Sequence, residues 1–289
     1  MQKNINASSF NISNADTQRF RRIVIDVMSE ACRVDTDAES GGIGTLGEKQ
    51  MHAAIKRFVC SDESCHEVKI DGSHGCIIND SDEENNEKNQ KKRRFVADIL
   101  NGNTIYEIQT GSFAPLREKL QWILDNTSYN IILIHPIAET KWVSLIGPDG
   151  NIGARKKSPL KGKLSDIAPE LYYIRDFLSS PRFSLVILMM EAEQYKKNVA
   201  KDKRRRPRYK KYELIPISLL RAHIFKEITD YSCFIPDSLP ERFTVRQYSN
   251  ESGIRGIDSY SIVKTLVHLS LLEEDGMIGR AKAYKKKHT

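Results

Sequence analysis

Between Val96 and Gln109 the chain reads Val-Ala-Asp-Ile-Leu-Asn-Gly-Asn-Thr-Ile-Tyr-Glu-Ile-Gln, and the residues at its centre leave little freedom of fold. Two β-prone runs, Arg94 to Leu100 and Thr104 to Thr110, flank Asn101-Gly102-Asn103. Asn and Gly tolerate the positive φ that a tight hairpin loop requires, so the two runs are expected to pair as antiparallel strands. Side chains two apart on a strand share a face, which sends Glu107 and Gln109 the same way. A two-residue loop puts Asp98 on that face in either register the triplet permits. With Gly102-Asn103 as the loop, Asp98 stands directly opposite Glu107. A three-residue loop upsets this parity unless a bulge restores it.

Two carboxylates at cross-strand distance repel each other unless a cation lies between them. Oxygen ligands of that kind suit Mg²⁺ or Mn²⁺ holding several waters. The plain alternative is the polar face of a half-exposed sheet.

The flanking pattern sets the order of elements. Asn11 to Cys32 has helical spacing of Phe20, Ile23, Val24, Ile25, Val27 and Met28. After Gly41-Gly42-Ile43-Gly44, Thr45 with Glu48 three residues on forms a capping box for a second helix, which buries Leu46, Met51, Ala54, Ile55 and Phe58. His66 to Ile70 alternates as a short strand, and Asp71 to Asn89 is a polar, acidic loop. Pro115 opens a helix burying Leu116, Leu120, Ile123 and Leu124, and Asn130 to His135 is the apolar run of a central strand. Thr45 to His135 therefore reads helix, strand, strand, strand, helix, strand. Beyond it come a hairpin near Trp142 to Ile146, a basic loop with Lys156, Lys157, Lys161 and Lys163, a helix over Ser165 to Leu178 and a strand over Arg182 to Glu191. Lys201 to Lys211 is densely basic, a linker or phosphate-contacting arm. In the last stretch Thr244 caps a short helix and Asp258 a longer one that stops at Gly276, followed by a hairpin around Gly279-Arg280.

Composition suits a polyanionic partner. The net charge is +7, and each phosphate neutralised by Lys or Arg releases a counterion. Met1 to Asn6 lacks the apolar run of a signal peptide and no stretch approaches a membrane span, so a cytoplasmic protein without membrane contact is expected. Five cysteines cannot all pair within one chain. Cys60, Cys65 and Cys76 lie near His66 and His74 with a spacing that matches no compact zinc motif, leaving a metal site or reduced loop thiols as the two readings.

The helix–three strand–helix–strand order, with Asp98 on the second strand and Glu107-Ile108-Gln109 on the third, resembles the core of the PD-(D/E)XK nuclease superfamily. That resemblance implies an α/β protein with a mixed sheet, a restriction-endonuclease-like αβββαβ core. It assigns Asp98, Glu107 and the main-chain carbonyl of Ile108 to Mg²⁺ or Mn²⁺, an ion that activates water and stabilises charge on a phosphate. Gln109 stands where the family usually has Lys; it can hold a water but cannot take its proton. Glu48 matches a further acid that the first helix often supplies, and Lys119 and Arg117 match phosphate-contacting positions.

The stretch Ile262 to Leu272, followed by Gly276 to Tyr284, is similar to the recognition helix and wing of winged-helix proteins. By that resemblance Ser259, Tyr260, Ser261 and Lys264 contact DNA, and Arg280, Lys282 and Lys285 to Lys287 lie on phosphates. Lys203, Arg204, Arg205 and Arg206 of the basic stretch are expected on DNA as well. The expected organisation is an N-terminal helical segment (1–44), a nuclease-like domain (45–198), a basic linker (199–218) and a mostly helical winged-helix domain (219–289). The resulting expectation is a metal-dependent DNA endonuclease, acting as a monomer or homodimer and needing no nucleotide cofactor. Its rivals are a non-catalytic DNA-binding regulator on a decayed nuclease fold and an assembly subunit.

Overall fold

The computed structural model describes residues 9–34, 46–70, 95–201 and 207–287. In chain order these form β1 (Ser9–Asn11), α1 (Asn14–Val34), α2 (Leu46–Val59), β2 (His66–Ile70), β3 (Phe95–Asn101), β4 (Thr104–Ile108), α3 (Arg117–Asn126), β5 (Asn130–Ile146), β6 (Lys156–Lys157), α4 (Ala168–Ile174), β7 (Phe183–Lys201), β8 (Pro207–Phe225), β9 (Arg242–Thr244), α5 (Val245–Ser252), α6 (Ile257–His268), β10 (Leu272–Ile278) and β11 (Ala281–Lys286). The class is mixed α/β. The expected order from the second helix to the central strand is present as α2-β2-β3-β4-α3-β5.

One sheet runs β1-β8-β7-β5-β4-β3-β2, with β6 on the flank of β5. β5 is parallel to β4 and to β7, and the remaining pairs are antiparallel. The central hairpin closes with Asn101 opposite Thr104, so Gly102-Asn103 is the loop. Gly102 takes φ 56°, as the first position of such a turn demands. β5 continues through Pro136, which has no N–H to give; β4 has already ended opposite Ile134, so this stretch of β5 has lost that neighbour.

Both faces of the sheet are covered. α1 and α2 pack Phe20, Val24, Met51 and Ile55 onto Ile99, Ile108, Leu188 and Leu219. On the other face α3 and α4 set Leu120, Ile123, Leu171 and Ile174 against Ala97, Ile105, Leu133 and Leu185. Because β4 and β5 are sandwiched between helices, they read as nearly unbroken apolar runs.

The domain limits expected from composition move. Of the expected linker 199–218, the described residues 199–201 and 207–218 are strand: β7 and β8 pair antiparallel from Leu185↔Phe225 out to Lys201↔Pro207, a long ribbon whose β-favourable Tyr, Ile and Leu outweigh its charge. Leu219 lies in the core beneath α1 and α2, so the C-terminal unit begins after Phe225. The N-terminal segment is no separate unit either, since β1 adds to β8 and α1 packs on the sheet. The expected helix from Ser165 to Leu178 is regular only over α4.

The C-terminal unit joins a short 3₁₀ segment (Ile228–Phe234), β9, α5, α6 and the β10–β11 hairpin, whose sheet order is β10-β11-β9. Thr244 caps α5 as expected, accepting from the Gln247 N–H at 3.3 Å. α6 is capped not by Asp258 but by Gly256 at φ 62°, and it stops at His268 rather than Gly276. The turn that ends it puts Ser270 at φ 60°, and the chain re-enters a sheet at buried Leu272. Phe243, Tyr248, Leu266 and Tyr284 merge with Phe225, Tyr231 and Leu171 into one core, so this unit is fused to the sheet domain.

Arg182, at the entry to β7, donates to the carbonyls of Thr127 (2.5 Å), Tyr129 (3.3 Å) and Leu124. A rigid fork of donors thus satisfies the open C-terminal end of α3. Arg182→Ala is expected to cost roughly 2–3 kcal/mol in urea denaturation, because the carbonyls lose a charged partner.

Candidate active site

β3 and β4 carry the two predicted acids. Ile99 pairs with Tyr106 and Leu100 with Ile105, and the pairing ends there, one residue short of Asp98 and Glu107. Asp98 Oδ2 accepts the Ile108 N–H at 2.7 Å, a side chain standing in for a backbone partner, and lies 3.1 Å from His52 Nε2 on α2. Glu107, on β4, is 2% exposed, with Oε2 accepting from Lys119 Nζ on α3 at 2.6 Å. The same Nζ donates to the Val96 carbonyl at 2.5 Å. Its second oxygen, Oε1, is buried with no hydrogen-bond partner.

β2 contributes a third acid. Glu67 sits across from Asp98, between the pairs His66↔Ile99 and Val68↔Ala97, at φ 53°. A non-glycine residue held in the left-handed region costs roughly 1–2 kcal/mol. Glu67 Oε1 is 2.8 Å from Lys56 Nζ, one turn beyond His52 on α2. The row Glu67–Asp98–Glu107 thus crosses three strands, and Lys56, His52 and Lys119 each meet one acid. All six line one cleft of about 740 Å³ together with Ile108, Gln109 and Thr110.

Burial dominates the electrostatics. It pushes Glu107 up to about 7; Lys119 pulls the other way and the Asp98 charge adds to the rise. Burial also opposes the charge on Asp98, but the His52 hydrogen bond and charge and the Ile108 N–H outweigh it and hold Asp98 below the usual carboxylate range. The two acids are thereby pushed apart, one ionised and one poised near neutrality.

Gln109 is fully engaged. Its N–H donates to Ile134 O (2.9 Å), its Nε2 to Ser112 O (2.6 Å), and its carbonyl accepts from His135 Nδ1 (2.6 Å). Glu170 on α4 accepts from Ser112 Oγ at 2.9 Å and the Phe113 N–H at 2.6 Å, so the loop after β4 is pinned from two elements. The cation expected beside the acids therefore comes from Lys119. Arg117 turns away to Asp176 (2.7 Å) and does not line the cleft. Glu48 lies on α2, one turn before His52, and its side chain is outside the described residues, as are Thr45, Lys203, Arg204, Arg205 and Arg206.

Among the expected DNA contacts at the C-terminus, Ser259 is buried, its hydroxyl donating to Gly256 O, and offers nothing to a groove. Tyr260 and Arg280 are exposed and Ser261 bonds to Ile257 O. Lys264 and Lys282 both reach Glu274, at 2.7 and 3.1 Å. Cys60 Sγ turns to Asp62 O and Cys65 Sγ to Asp62 Oδ2, while Cys76 and His74 lie outside the described residues. His52, Lys56 and Glu67 were not singled out from the sequence. The readable signal is the i, i+4 spacing of Glu48, His52 and Lys56, which aligns three titratable side chains along one face of α2.

Residues 74–226, a little over half of the chain, match the model of a family described as a domain of unknown function, DUF8091. The chain belongs to this family. The DUF8091 match takes in Asp98, Glu107, Gln109 and Lys119 and leaves α2, with His52 and Lys56, outside. An uncharacterized protein of Treponema pallidum (strain Nichols) is 23% identical over 248 residues, 84% of this chain and 87% of its own length. No solved structure matches the chain. No described helix is long and apolar enough to cross a membrane.

Glu107 has a pH signature. Its folded pKa lies above that of an exposed Glu, so its contribution to stability is fully present below about pH 4.5 and is lost as pH rises through about 7. Glu107→Gln is expected to be more stable than the parent at pH 8, by up to about 3 kcal/mol, and level with it near pH 4. Denaturant titrations across pH check this, and a flat difference would remove the buried, uncompensated carboxylate.

Proposed function

We propose that this chain is a metal-dependent DNA endonuclease of the PD-(D/E)XK type, working in the cytoplasm. The observation that carries the reading is the pairing of Asp98 and Glu107 on adjacent strands in one cleft, with Lys119 Nζ on Glu107. The α2-β2-β3-β4-α3-β5 order, and β5 running parallel to β4, support the same core.

The donor set suits a divalent cation. Glu107 Oε1 is a buried acceptor without a donor, and cross-strand Asp98 is ionised. Among the described residues no three His, Cys, Asp or Glu side chains converge as a ready ligand group, so Asp98, Glu107 and the Ile108 carbonyl would hold Mg²⁺ or Mn²⁺ with waters completing the shell. Such an ion supplies Lewis acidity toward a phosphate oxygen and lowers the pKa of a bound water. The chain's own groups do the positioning. His52 and the Ile108 N–H fix the Asp98 carboxylate, and Val96 O and Glu107 fix the Lys119 ammonium, a point charge able to bond a water or a phosphate oxygen. Gln109, tied to Ser112, shapes the wall of the cleft and has no part in proton transfer.

The C-terminal unit supports duplex binding. Its α5-α6 pair followed by the β10–β11 hairpin, with β9 completing the sheet, has the order of a winged helix. Tyr260, Ser261 and Lys264 form the open strip of α6, and Arg280 sits at the hairpin tip. One observation favours the rival reading of a non-catalytic DNA-binding regulator: each acid in the cleft already has a side-chain partner, His52 for Asp98, Lys56 for Glu67 and Lys119 for Glu107.

Plasmid, linear and four-way-junction DNA offered with Mg²⁺ or Mn²⁺ separate the two. The expected result is metal-dependent nicking or cutting that falls on the order of 10²–10⁴-fold in Asp98→Ala, Glu107→Ala and Lys119→Ala. Cleavage that persists in both acid variants sinks the site. Absence of cleavage with tight, salt-dependent binding makes the regulator the better description.

A further inference from the structure

The edge of the sheet that carries the acids continues into a feature the cleft does not use. β4 stops opposite Ile134, while β5 runs on to Ile146 with β7 beside it and β8 beside β7. At about 3.3 Å per residue, Lys141 stands roughly 23 Å and Leu145 roughly 36 Å beyond the level of Ile108. Lys196 is the neighbour of Leu145 on β5 and faces Lys211 directly on β8; one step on, Lys197 faces Lys210. Up to Lys196 the extra residues in this irregular register fall on β8, so β7 alternates regularly there and Ala192 shares a face with Lys196. Lys141 pairs with Ala192 and therefore stands on that face with Lys196 and Lys211.

Like charges directly opposed across a ladder are destabilising. Burial, then the charges of Lys211 and Lys196, push Lys141 below the ordinary lysine range. Asp166 offsets part of the charge on Lys141, as the smallest of the influences on it. Glu191 and Glu193 are of opposite parity on β7 and are engaged on the other face by Trp142, Ser218, Ser144 and Arg155. The row is basic and spans roughly 13 Å along the strands, beginning about 23 Å from the level of Ile108. Three lysines on one face at this spacing suit the closely set, linear phosphates of a nucleic-acid backbone.

We propose that Lys141, Lys196 and Lys211 form a docking surface for the phosphate backbone of duplex DNA laid along the β5–β7–β8 arm. The inference rests on the nucleic-acid reading of the cleft and extends it to a second contact region. Its relief of the facing lysines comes from the phosphates themselves, whose neutralisation releases counterions from the duplex.

Binding of a fluorescein-labelled 30-base-pair duplex, followed by anisotropy in EDTA across a salt series, tests it without recourse to cleavage. In the triple variant Lys141→Gln/Lys196→Gln/Lys211→Gln the affinity is expected to fall on the order of tenfold or more, and the slope of log K against log salt by two to three, about 0.9 per phosphate contact. Lys211→Gln alone removes one of the facing pair, lowering the slope by about one while the melting temperature stays level or rises. Unchanged affinity and slope in the triple variant overturn the proposal; if the parent binds DNA and Arg280→Ala weakens it, the DNA reading survives that failure. A parent that binds phosphatidylserine vesicles and not DNA, with loss in the triple variant, overturns both in favour of a lipid surface. Binding to neither overturns both outright. Arm-dependent binding by a parent that never cuts DNA upholds the arm while the nuclease reading falls.

Discussion

β5 has a neighbour on both sides for only part of its length, and the candidate site exists because of that. β4 pairs with it from Asn130 to Ile134 and then stops. β7 stays with it to Ile146. At the step where β4 ends, backbone groups lose their ladder partners and must be satisfied by other means. His135 Nδ1 bonds the Gln109 carbonyl, Ile134 O takes the Gln109 N–H, and on the far side of β4 the Asp98 carboxylate takes the Ile108 N–H. Each substitute partner fixes a side chain at the sheet edge. A cleft with defined polar walls is the result, supported by strands rather than by a loop.

Charge in that cleft is balanced at a cost that geometry reveals. An isolated buried carboxylate is strongly disfavoured, and one salt bridge repays desolvation only when the remaining lone pairs are also satisfied. Lys119 satisfies one oxygen of Glu107 and leaves the other bare. Asp98, less buried and with two donors on one oxygen, keeps its charge. The asymmetry follows from the partners: Asp98 meets His52 on α2 and takes the Ile108 N–H, whereas Glu107 is enclosed and meets Lys119 on α3. A bare buried oxygen next to an ionised neighbour is a defect in a purely structural protein, and it is what a cation-binding or proton-handling site needs.

The hairpin and its acids were legible because they depend on local rules: the Asn-Gly loop, strand parity and a register that follows from loop length. The identity of the cation was not. Position 109 suggested a Gln in a working role, yet a carbonyl three residues later, Ser112 O, captures its amide, and Lys119, which the nuclease resemblance marks only as a phosphate contact, meets Glu107. Glu67 was hidden for a similar reason, since its relation to Asp98 depends on the β2–β3 register across a segment with no readable turn. The ribbon is hidden in the sequence because its charge density is that of a linker or phosphate-contacting arm. Tyr209, Tyr212, Leu214 and Ile215 give β8 its strand character, and long-range pairing with β7 outweighs what lysines do to local propensity.

The C-terminal unit shows the same priority of tertiary contact over local pattern. α6 has the length and order of a recognition helix, but Ile262, Val263 and Leu266 are buried in a core shared with Leu171 and Ile174 of α4. Ser259 and Thr265 are closed off as well, leaving Tyr260, Ser261, Lys264 and His268 as a narrow open strip. Asp176, just after α4, reaches both His268 and Arg117, so the foot of α6 and the start of α3 share one acid. The strip therefore belongs to a body continuous with the sheet, not to a tethered module. With the unit fused in this way, the position of α6 relative to Asp98 and Glu107 is set by packing in the common core.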